Sequence, residues 1–276
     1  MKLGLGLGLQ YGRKITGGSS ALILDTYSAN VGTAKSLEYL ISSFIGNDVI
    51  IVRRDVTLGG VSERGFTPTE INDGTLVDWC NGGNGFVTTI YDQVNNFDYT
   101  QTFASLQGAI VTNGFLNTLN GKPVIKRVNS DSFYSSNYNQ NTAVDKTFFY
   151  VGGHSSSLTK GCLYSCFNGG GSAIYLSGLS DSSTSITLRT TLQSVLLNNS
   201  AFTPSTRNDV FLAFQNQINL SFLASNFTFQ SNRLQLGYDG LGFGFIDFQE
   251  EIIYNADNLT NRNAIDANIN SRYNIY

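Results

Sequence analysis

Apolar and polar residues alternate over short stretches along most of this chain, and glycine, asparagine or aspartate separates one stretch from the next. Between Val49 and Thr102 the chain contains VIIVRRDV and GFVTTIYDQVNN. The later runs TFFYVGG, DVFLAFQNQINLSFLA and FQEEIIYN have the same character. A period of two bounded by turn residues is typical of β-strands. Many such strands with little helix predict an all-β jelly-roll sandwich.

Helical spacing of apolar residues predicts one or two peripheral helices. After a short strand at Leu22–Leu24, an amphipathic helix is expected over residues 34–44, with Thr33 as its cap. A helical turn is expected between Thr69 and Cys80. The helices would close the ends of the sandwich.

The C-terminal residues predict a second helix. Ile265, Ile269 and Tyr273 are four residues apart, which places them on one face of a helix. Asp257 or Asn258 can cap its first turn. We therefore expect this helix to pack against the sandwich.

The first 20 residues differ in pattern from the rest and form a predicted N-terminal extension to a domain of residues 21–276. Four leucines alternate with glycine and share one face of an extended chain: Leu3, Leu5, Leu7 and Leu9. Such a strand buries nothing by itself, so it would anchor the chain by pairing with a partner. The alternative is a glycine-rich tail without structure. No apolar stretch typical of a secretory signal is predicted here.

Composition excludes several classes of partner. Charged residues make up 13% of the chain and the net charge is −3, which gives no basic surface for nucleic acid or an anionic membrane. No apolar stretch is long enough to span a bilayer. Cys80, Cys162 and Cys166 are odd in number and lack the further ligands that zinc needs. We expect no metal and no cofactor.

Few residues offer catalytic chemistry. His154 is the single histidine and follows a glycine pair without a nucleophile motif, so a loop position is expected. Asp92 follows a strand in an oxygen-rich loop. Such a loop can bind calcium or form side-chain hydrogen bonds to the backbone, and the hydrogen bonds are favoured here. Tyr134 and Tyr138 lie in the polar stretch SDSFYSSNYNQN and are candidates for surface recognition.

The runs VIIVRRDV, GFVTTIYDQVNN, NGKPVIKRVNSDSF and the closing FQEEIIYNADNLTNRNAIDANINSRYNIY resemble a known family over roughly residues 22–276. The family is the concanavalin-like sandwich of phage virion proteins and of fungal α-L-arabinofuranosidase B. The resemblance implies a concanavalin-like fold. It also leaves two functions open, because one class cleaves sugars and the other displays a surface.

The resemblance to the enzyme is incomplete at the catalytic positions. It implies a retaining pair, a Glu nucleophile in an Asp-Leu-Glu run and an Asp acid/base, with carboxyl groups about 5 to 5.5 Å apart. The most similar run here is Thr191–Gln193, and glutamine cannot be a carboxylate nucleophile. Only Cys166 remains of the family's adjacent cysteine pair, whereas Asp239 in LGYDGLG resembles the acid/base.

These departures favour a non-enzymatic phage virion protein, a head or tail fibre or a decoration protein assembled in the host cytoplasm. Its expected partners are other virion proteins, bound through residues 1–20, and further copies of itself. Host surface glycan is a candidate ligand, bound by Tyr134, Tyr138 and Asp239. The alternative is a glycoside hydrolase related to α-L-arabinofuranosidase, in which Asp239 acts with Glu250 or Glu251.

Overall fold

The computed structural model describes residues 21–55, 62–128, 134–138, 142–153, 160–162, 164–165, 177–179, 192–227, 234–237 and 247–276. Most elements within these ranges are antiparallel strands. The prediction of an all-β sandwich is confirmed. The N-terminal leucines Leu3, Leu5, Leu7 and Leu9 lie outside the described residues, so the anchoring role stays a prediction. In the described part of the chain no helix is long and apolar enough to cross a membrane.

The strands of the described residues are, in chain order, β1 (Val31–Ser36), β2 (Ile50–Arg54), β3 (Glu63–Phe66), β4 (Gly85–Ile90), β5 (Tyr99–Thr100), β6 (Ala109–Thr112), β7 (Phe115–Leu116), β8 (Thr118–Leu119), β9 (Lys122–Pro123), β10 (Tyr134–Ser136), β11 (Val144–Gly153), β12 (Lys160–Cys162), β13 (Tyr164–Ser165), β14 (Ser177–Leu179), β15 (Leu192–Leu197), β16 (Ser200–Ala201), β17 (Ile218–Phe227), β18 (Leu234–Leu236) and β19 (Asp247–Tyr254). The α-helices are α1 (Ile23–Thr26), α2 (Pro68–Asn72), α3 (Thr75–Cys80), α4 (Arg207–Ala213) and α5 (Leu259–Tyr273). Short 3₁₀ helices span Ser42–Phe44 and Ala104–Leu106.

Two large antiparallel sheets form the sandwich. Sheet A has the strand order β1-β19-β11-β17-β15-β16. Sheet B has the order β13-β18-β10-β5-β4-β2-β3, and β6 and β7 extend it beside β4. The remaining strands pair as β12 with β14 and β8 with β9. β1 and β19, the first and last strands of the described residues, pair with each other.

The main core lies between the two sheets. Alternate residues of the longer strands point into it, as the period of two requires. Phe148 and Tyr150 of sheet A are fully buried there, together with Ile50 and Ile90 of sheet B. The rings of Phe148 and its register partner Phe222 stack with centroids 4.6 Å apart. Aromatic pairs of this kind add stabilisation beyond their buried area.

A second core covers the outer face of sheet A. Ile265, Ile269 and Tyr273 of α5 pack on Phe149 and Ile252, whose side chains point away from the first core. The predicted C-terminal helix is therefore confirmed. It begins at Leu259, whose backbone amide donates a hydrogen bond to the Asp257 carboxylate.

Polar contacts fix α5 in place on sheet A. The Asp266 carboxylate accepts hydrogen bonds from the Asn219 amide (3.0 Å) and the Ser221 hydroxyl (2.9 Å) of β17. Arg262 donates to the same Ser221 hydroxyl at 2.9 Å. Buried polar groups on the helix thus have partners on the sheet, as a buried interface requires.

Three local predictions are wrong. Residues 34–36 belong to β1, where they pair with β19, and not to a helix. Every residue of β1 is buried, so no period of two marks it as a strand in the sequence. The expected strand at Leu22–Leu24 falls largely in α1, which begins at Ile23. The first part of the run that starts at Asp209 is α4, which begins with a capping box in which Thr206 and Asp209 exchange hydrogen bonds.

The helical segment expected between Thr69 and Cys80 is confirmed as α2 and α3. Thr67 and Glu70 form a capping box before α2, with the Glu70 amide 3.2 Å from the Thr67 hydroxyl. Gly74 separates the two helices with a φ of 97°, a left-handed conformation that glycine adopts without strain.

Candidate active site

Carboxyl groups are the side chains that a glycosidic site needs, and five of them are buried in the described residues: Asp92, Asp247, Glu250, Glu251 and Asp266. Asp266 belongs to the interface of α5. The other four differ in their partners, and those partners separate structural carboxylates from one that is suited to proton transfer.

Asp92 holds the end of β4 to its neighbours. Its carboxylate accepts hydrogen bonds from the backbone amides of Ala34 (2.9 Å), Val94 (3.1 Å) and Phe97 (3.0 Å). The favoured interpretation of this loop, side-chain bonds to the backbone, is confirmed. Gln93 continues the pattern, accepting from the Leu40 amide at 2.8 Å. In the described residues no group of three or more His, Cys, Asp or Glu side chains is placed to hold a metal ion.

Glu250 lies on the outer face of β19 beneath α5. It forms an ion pair with Arg272 and accepts hydrogen bonds from the hydroxyls of Ser36 (3.0 Å) and Tyr273 (3.1 Å). Burial raises the pKa of Tyr273 well above its usual range, with the Glu250 charge as the next cause. The group is 1% exposed, so it fixes the helix and cannot reach a substrate.

Glu251 points the opposite way, into the core between the sheets. Its carboxylate lies 3.5 Å from the Lys35 ammonium and accepts a hydrogen bond from Tyr99 at 2.9 Å. The Lys35 ammonium also contacts the Thr33 hydroxyl and lies 4.2 Å from the centre of the Tyr99 ring. Both charged groups are fully buried. Glu250 and Glu251 are each held in a buried ion pair, and Asp239 lies outside the described residues, so the prediction that one of them acts with Asp239 stays a prediction.

Asp247 has a different environment. It is the first residue of β19, and its carboxylate accepts a hydrogen bond from the Arg127 amide at 3.1 Å. Burial raises its pKa to about 6, and the Arg127 hydrogen bond only partly opposes that effect. A carboxyl group with a pKa near the working pH can both give and take a proton, which is the requirement for a general acid/base.

The backbone around Asp247 is held closely by the neighbouring strand. The Tyr150 hydroxyl donates to the Asp247 carbonyl oxygen at 3.0 Å. A Cβ added to Gly152 would lie 1.9 Å from that same oxygen, so only glycine allows this approach. Asp247 follows the 238–246 segment, which contains Asp239 and lies outside the described residues. Asp247 is not among the predicted site residues; its place at the start of an apolar strand is the one local signal that marks it.

The two tyrosines predicted for surface recognition are buried, so that prediction is wrong. Tyr134 is 0% and Tyr138 is 1% exposed. The Tyr134 hydroxyl donates to the Val87 carbonyl and accepts from the Gly108 amide, each at 2.9 Å. The Tyr138 hydroxyl donates to Asn255. Both hydroxyls are satisfied by the protein interior, and neither can contact a glycan.

The remaining predicted residues are only partly described. Gln193 is exposed on β15, and Cys80 is buried as a free thiol whose pKa burial raises to about 11. Asp239, His154, Thr191 and Cys166 lie outside the described residues. Their predicted roles stay predictions.

Three solved structures are similar to this chain. A GH54 α-L-arabinofuranosidase soaked with a cyclic sulfate inhibitor aligns over 90% of this chain with a TM-score of 0.53 and 16% identity. A Glu-to-Gln mutant of a GH54 α-L-arabinofuranosidase, soaked with 4-nitrophenyl α-L-arabinofuranoside, aligns over 90% of this chain with a TM-score of 0.54 and 16% identity. An arabinofuranosidase in complex with arabinofuranosyl-α-1,2-xylobiose gives 0.52 over 89%, also at 16% identity. In each case this chain spans 64% of the other chain.

No protein-family model matches the chain, and no curated protein matches it. The prediction that the protein is not an enzyme is contradicted, because all three similar structures are arabinofuranosidases. None of these findings supports a role in a phage virion. At this identity the likeness shows the fold alone, a β-sandwich that this chain shares with the three arabinofuranosidase structures.

Proposed function

We propose that this protein is a glycoside hydrolase that cleaves α-L-arabinofuranosides. The observation that carries the proposal is the alignment of about nine tenths of the chain with arabinofuranosidase structures. Charged residues make up only 13% of the chain, a composition that suits recognition of a neutral sugar through hydroxyl and amide groups.

Within this function we assign the general acid/base to one of two aspartates. Asp239 is the residue that resembles the family's acid/base. Asp247 is supported by its pKa, which burial raises to about 6, and by its position directly after residues 238–246, which contain Asp239. A carboxyl group in this pKa range would protonate the leaving glycosidic oxygen and then accept a proton from water.

The test is hydrolysis of 4-nitrophenyl α-L-arabinofuranoside by the full chain and by Asp239→Asn and Asp247→Asn variants. We expect turnover by the wild type and a loss of about 100-fold or more in the variant of the true acid/base, in line with the usual contribution of such a group. Asp257→Asn is the matched control, since Asp257 is exposed and asparagine can also cap α5. A wild type without turnover on this substrate refutes the proposal.

A further inference from the structure

The first residue of β19 is held by a tyrosine of the neighbouring strand β11. The Tyr150 hydroxyl donates a hydrogen bond to the main-chain carbonyl of Asp247 at 3.0 Å, and both residues are buried. The Tyr150 ring also meets the ring of Phe248, the next residue of β19, edge to face with the centroids 6.0 Å apart. Tyr150 therefore contacts the start of β19 through its hydroxyl group and through its ring.

Gly152 leaves the space that this contact needs. A Cβ at Gly152 would lie 2.7 Å from the Tyr150 ring and 2.8 Å from the Tyr150 hydroxyl oxygen, besides its clash with the Asp247 carbonyl oxygen. A side chain at this position would therefore displace the hydroxyl group from the carbonyl. The glycine serves the tyrosine as well as the close approach of the two strands.

The ladder between β11 and β19 is irregular at this point. β19 has one extra residue, Gln249, between its pair with Val151 and its pair with Gly152. An extra residue of this kind, a β-bulge, disrupts the ladder locally and re-aims neighbouring side chains, and bulges are common next to active sites. The Tyr150 hydroxyl supplies a hydrogen bond to the end of β19 that lies beyond the bulge.

A second segment holds the carboxyl group of Asp247. The Arg127 amide donates to this carboxylate at 3.1 Å. The segment is itself fixed to β19, because Ile125 and Phe248 exchange two backbone hydrogen bonds, of 3.0 and 2.9 Å. The partner of the carboxyl group is thus in a defined position, and the burial of that carboxyl depends on where β19 begins.

The charges around this pair make Tyr150 a constant donor. Burial raises the pKa of Tyr150 well above its usual range, and the charges of Asp247 and Glu251 raise it further, so the hydroxyl keeps its proton. At Asp247 burial is the largest effect on the pKa, and the Arg127 amide and the charges of Lys126 and Arg127 only partly oppose it. The pKa of Asp247 therefore depends chiefly on its staying buried.

We propose that Tyr150 is a positioning residue for Asp247: its hydroxyl holds the start of β19 against β11 and thereby keeps the Asp247 carboxyl group buried. The inference rests on the proposed function, in which Asp247 is one of the two aspartates assigned as the general acid/base. Tyr150 acts through Asp247 and takes no part in the proton transfer. Without the hydroxyl, the end of the strand relaxes toward water and the carboxyl group behaves as an ordinary aspartate.

The test is the Tyr150→Phe variant of the full chain, because phenylalanine keeps the ring and its contact with Phe248 but removes the hydroxyl. The carboxyl ¹³C NMR signal of Asp247, assigned by its absence from Asp247→Asn, is followed in a pH titration. The pKa of Asp247 should fall from about 6 toward its ordinary value of 3.8. With 4-nitrophenyl α-L-arabinofuranoside, kcat at about pH 6 should fall about tenfold or more with KM unchanged, because less of the carboxyl group carries a proton.

Tyr254→Phe is the matched control. Tyr254 is also buried, and its hydroxyl also donates to a main-chain carbonyl, that of Tyr27 at 2.9 Å. This variant loses an equivalent hydrogen bond and should leave both the pKa of Asp247 and kcat unchanged. Urea denaturation adds a measurement that needs no turnover: Tyr150→Phe should lose more stability at about pH 4 than at about pH 7.5, since it removes the cost of the buried carboxylate at the higher pH.

Three results overturn the inference: an Asp247 pKa that stays near 6 in Tyr150→Phe, an equal fall of that pKa in Tyr254→Phe, or a Tyr150→Phe chain that does not fold when Tyr254→Phe does. The proposed function fails separately. A wild type without turnover refutes the function, while a lowered Asp247 pKa in Tyr150→Phe still supports the positioning. A lowered pKa with unchanged kcat also supports the positioning and assigns the acid/base to Asp239.

Discussion

Replacing Asp247 with asparagine should stabilise the protein at neutral pH. Burial raises the pKa of Asp247 from 3.8 to about 6, so the folded state holds the proton more tightly than the unfolded state. The stabilisation that the bound proton gives is complete below the pKa of the unfolded state and is lost as the pH rises through the pKa of the folded state. This pKa difference between the folded and unfolded states, about two, corresponds to ~3 kcal/mol. Above about pH 6 the charged carboxylate therefore lowers the free energy of unfolding by about that amount.

Asparagine removes this cost because it is neutral at every pH and its side-chain oxygen can still accept the Arg127 hydrogen bond. The expected gain in the free energy of unfolding is up to ~3 kcal/mol at about pH 7.5 and close to zero at about pH 4. Such a gain, together with a loss of turnover, is the trade-off typical of an active-site group.

Urea denaturation followed by the fluorescence of Trp79 measures this difference. Trp79 is the single tryptophan and its ring meets that of Phe66 at a centroid distance of 5.3 Å, so unfolding changes its environment. Asp257→Asn serves as the matched control, because it is the same substitution at an exposed position. A gain of equal size at both pH values, or a destabilisation at neutral pH, would refute the reasoning about Asp247.

Two further predictions concern the buried framework. Lys35→Met should destabilise the fold by about 3–5 kcal/mol in urea denaturation, because it leaves the Glu251 charge buried without its cation. A Lys35→Met/Glu251→Leu double variant should recover most of this loss. Equal losses in the single and double variants would contradict the ion-pair account. Gly152→Ala should prevent folding or lower the melting temperature by more than 10 °C, roughly, since the new Cβ meets the Asp247 carbonyl oxygen, and a melting temperature equal to the wild type would contradict this.

The sequence predicted the helix whose single buried face has a clear period. The four-residue spacing of Ile265, Ile269 and Tyr273 matches the one face of α5 that packs on sheet A. β11 and β19 are buried on both faces, and they were predicted from short apolar runs bounded by turn residues. β1 is also buried on both faces, but its buried Lys35 interrupts the apolar run, so the prediction failed there.

The candidate site was predictable only in part, because burial and pairing depend on contacts distant in sequence. Tyr134 and Tyr138 have polar neighbours, yet their hydroxyls bond to Val87 and Asn255, 47 and 117 residues away. The raised pKa of Asp247 likewise depends on burial by segments near residue 127 and β11. No local pattern records these contacts.

The most direct test of the central claim is to incubate the full chain with arabinofuranosyl-α-1,2-xylobiose and follow the products by NMR. The account predicts free arabinose and intact xylobiose, formed in proportion to the amount of protein and strongly reduced in Asp239→Asn or Asp247→Asn. Folded protein that releases no arabinose from this substrate would contradict the assignment as an arabinofuranoside hydrolase.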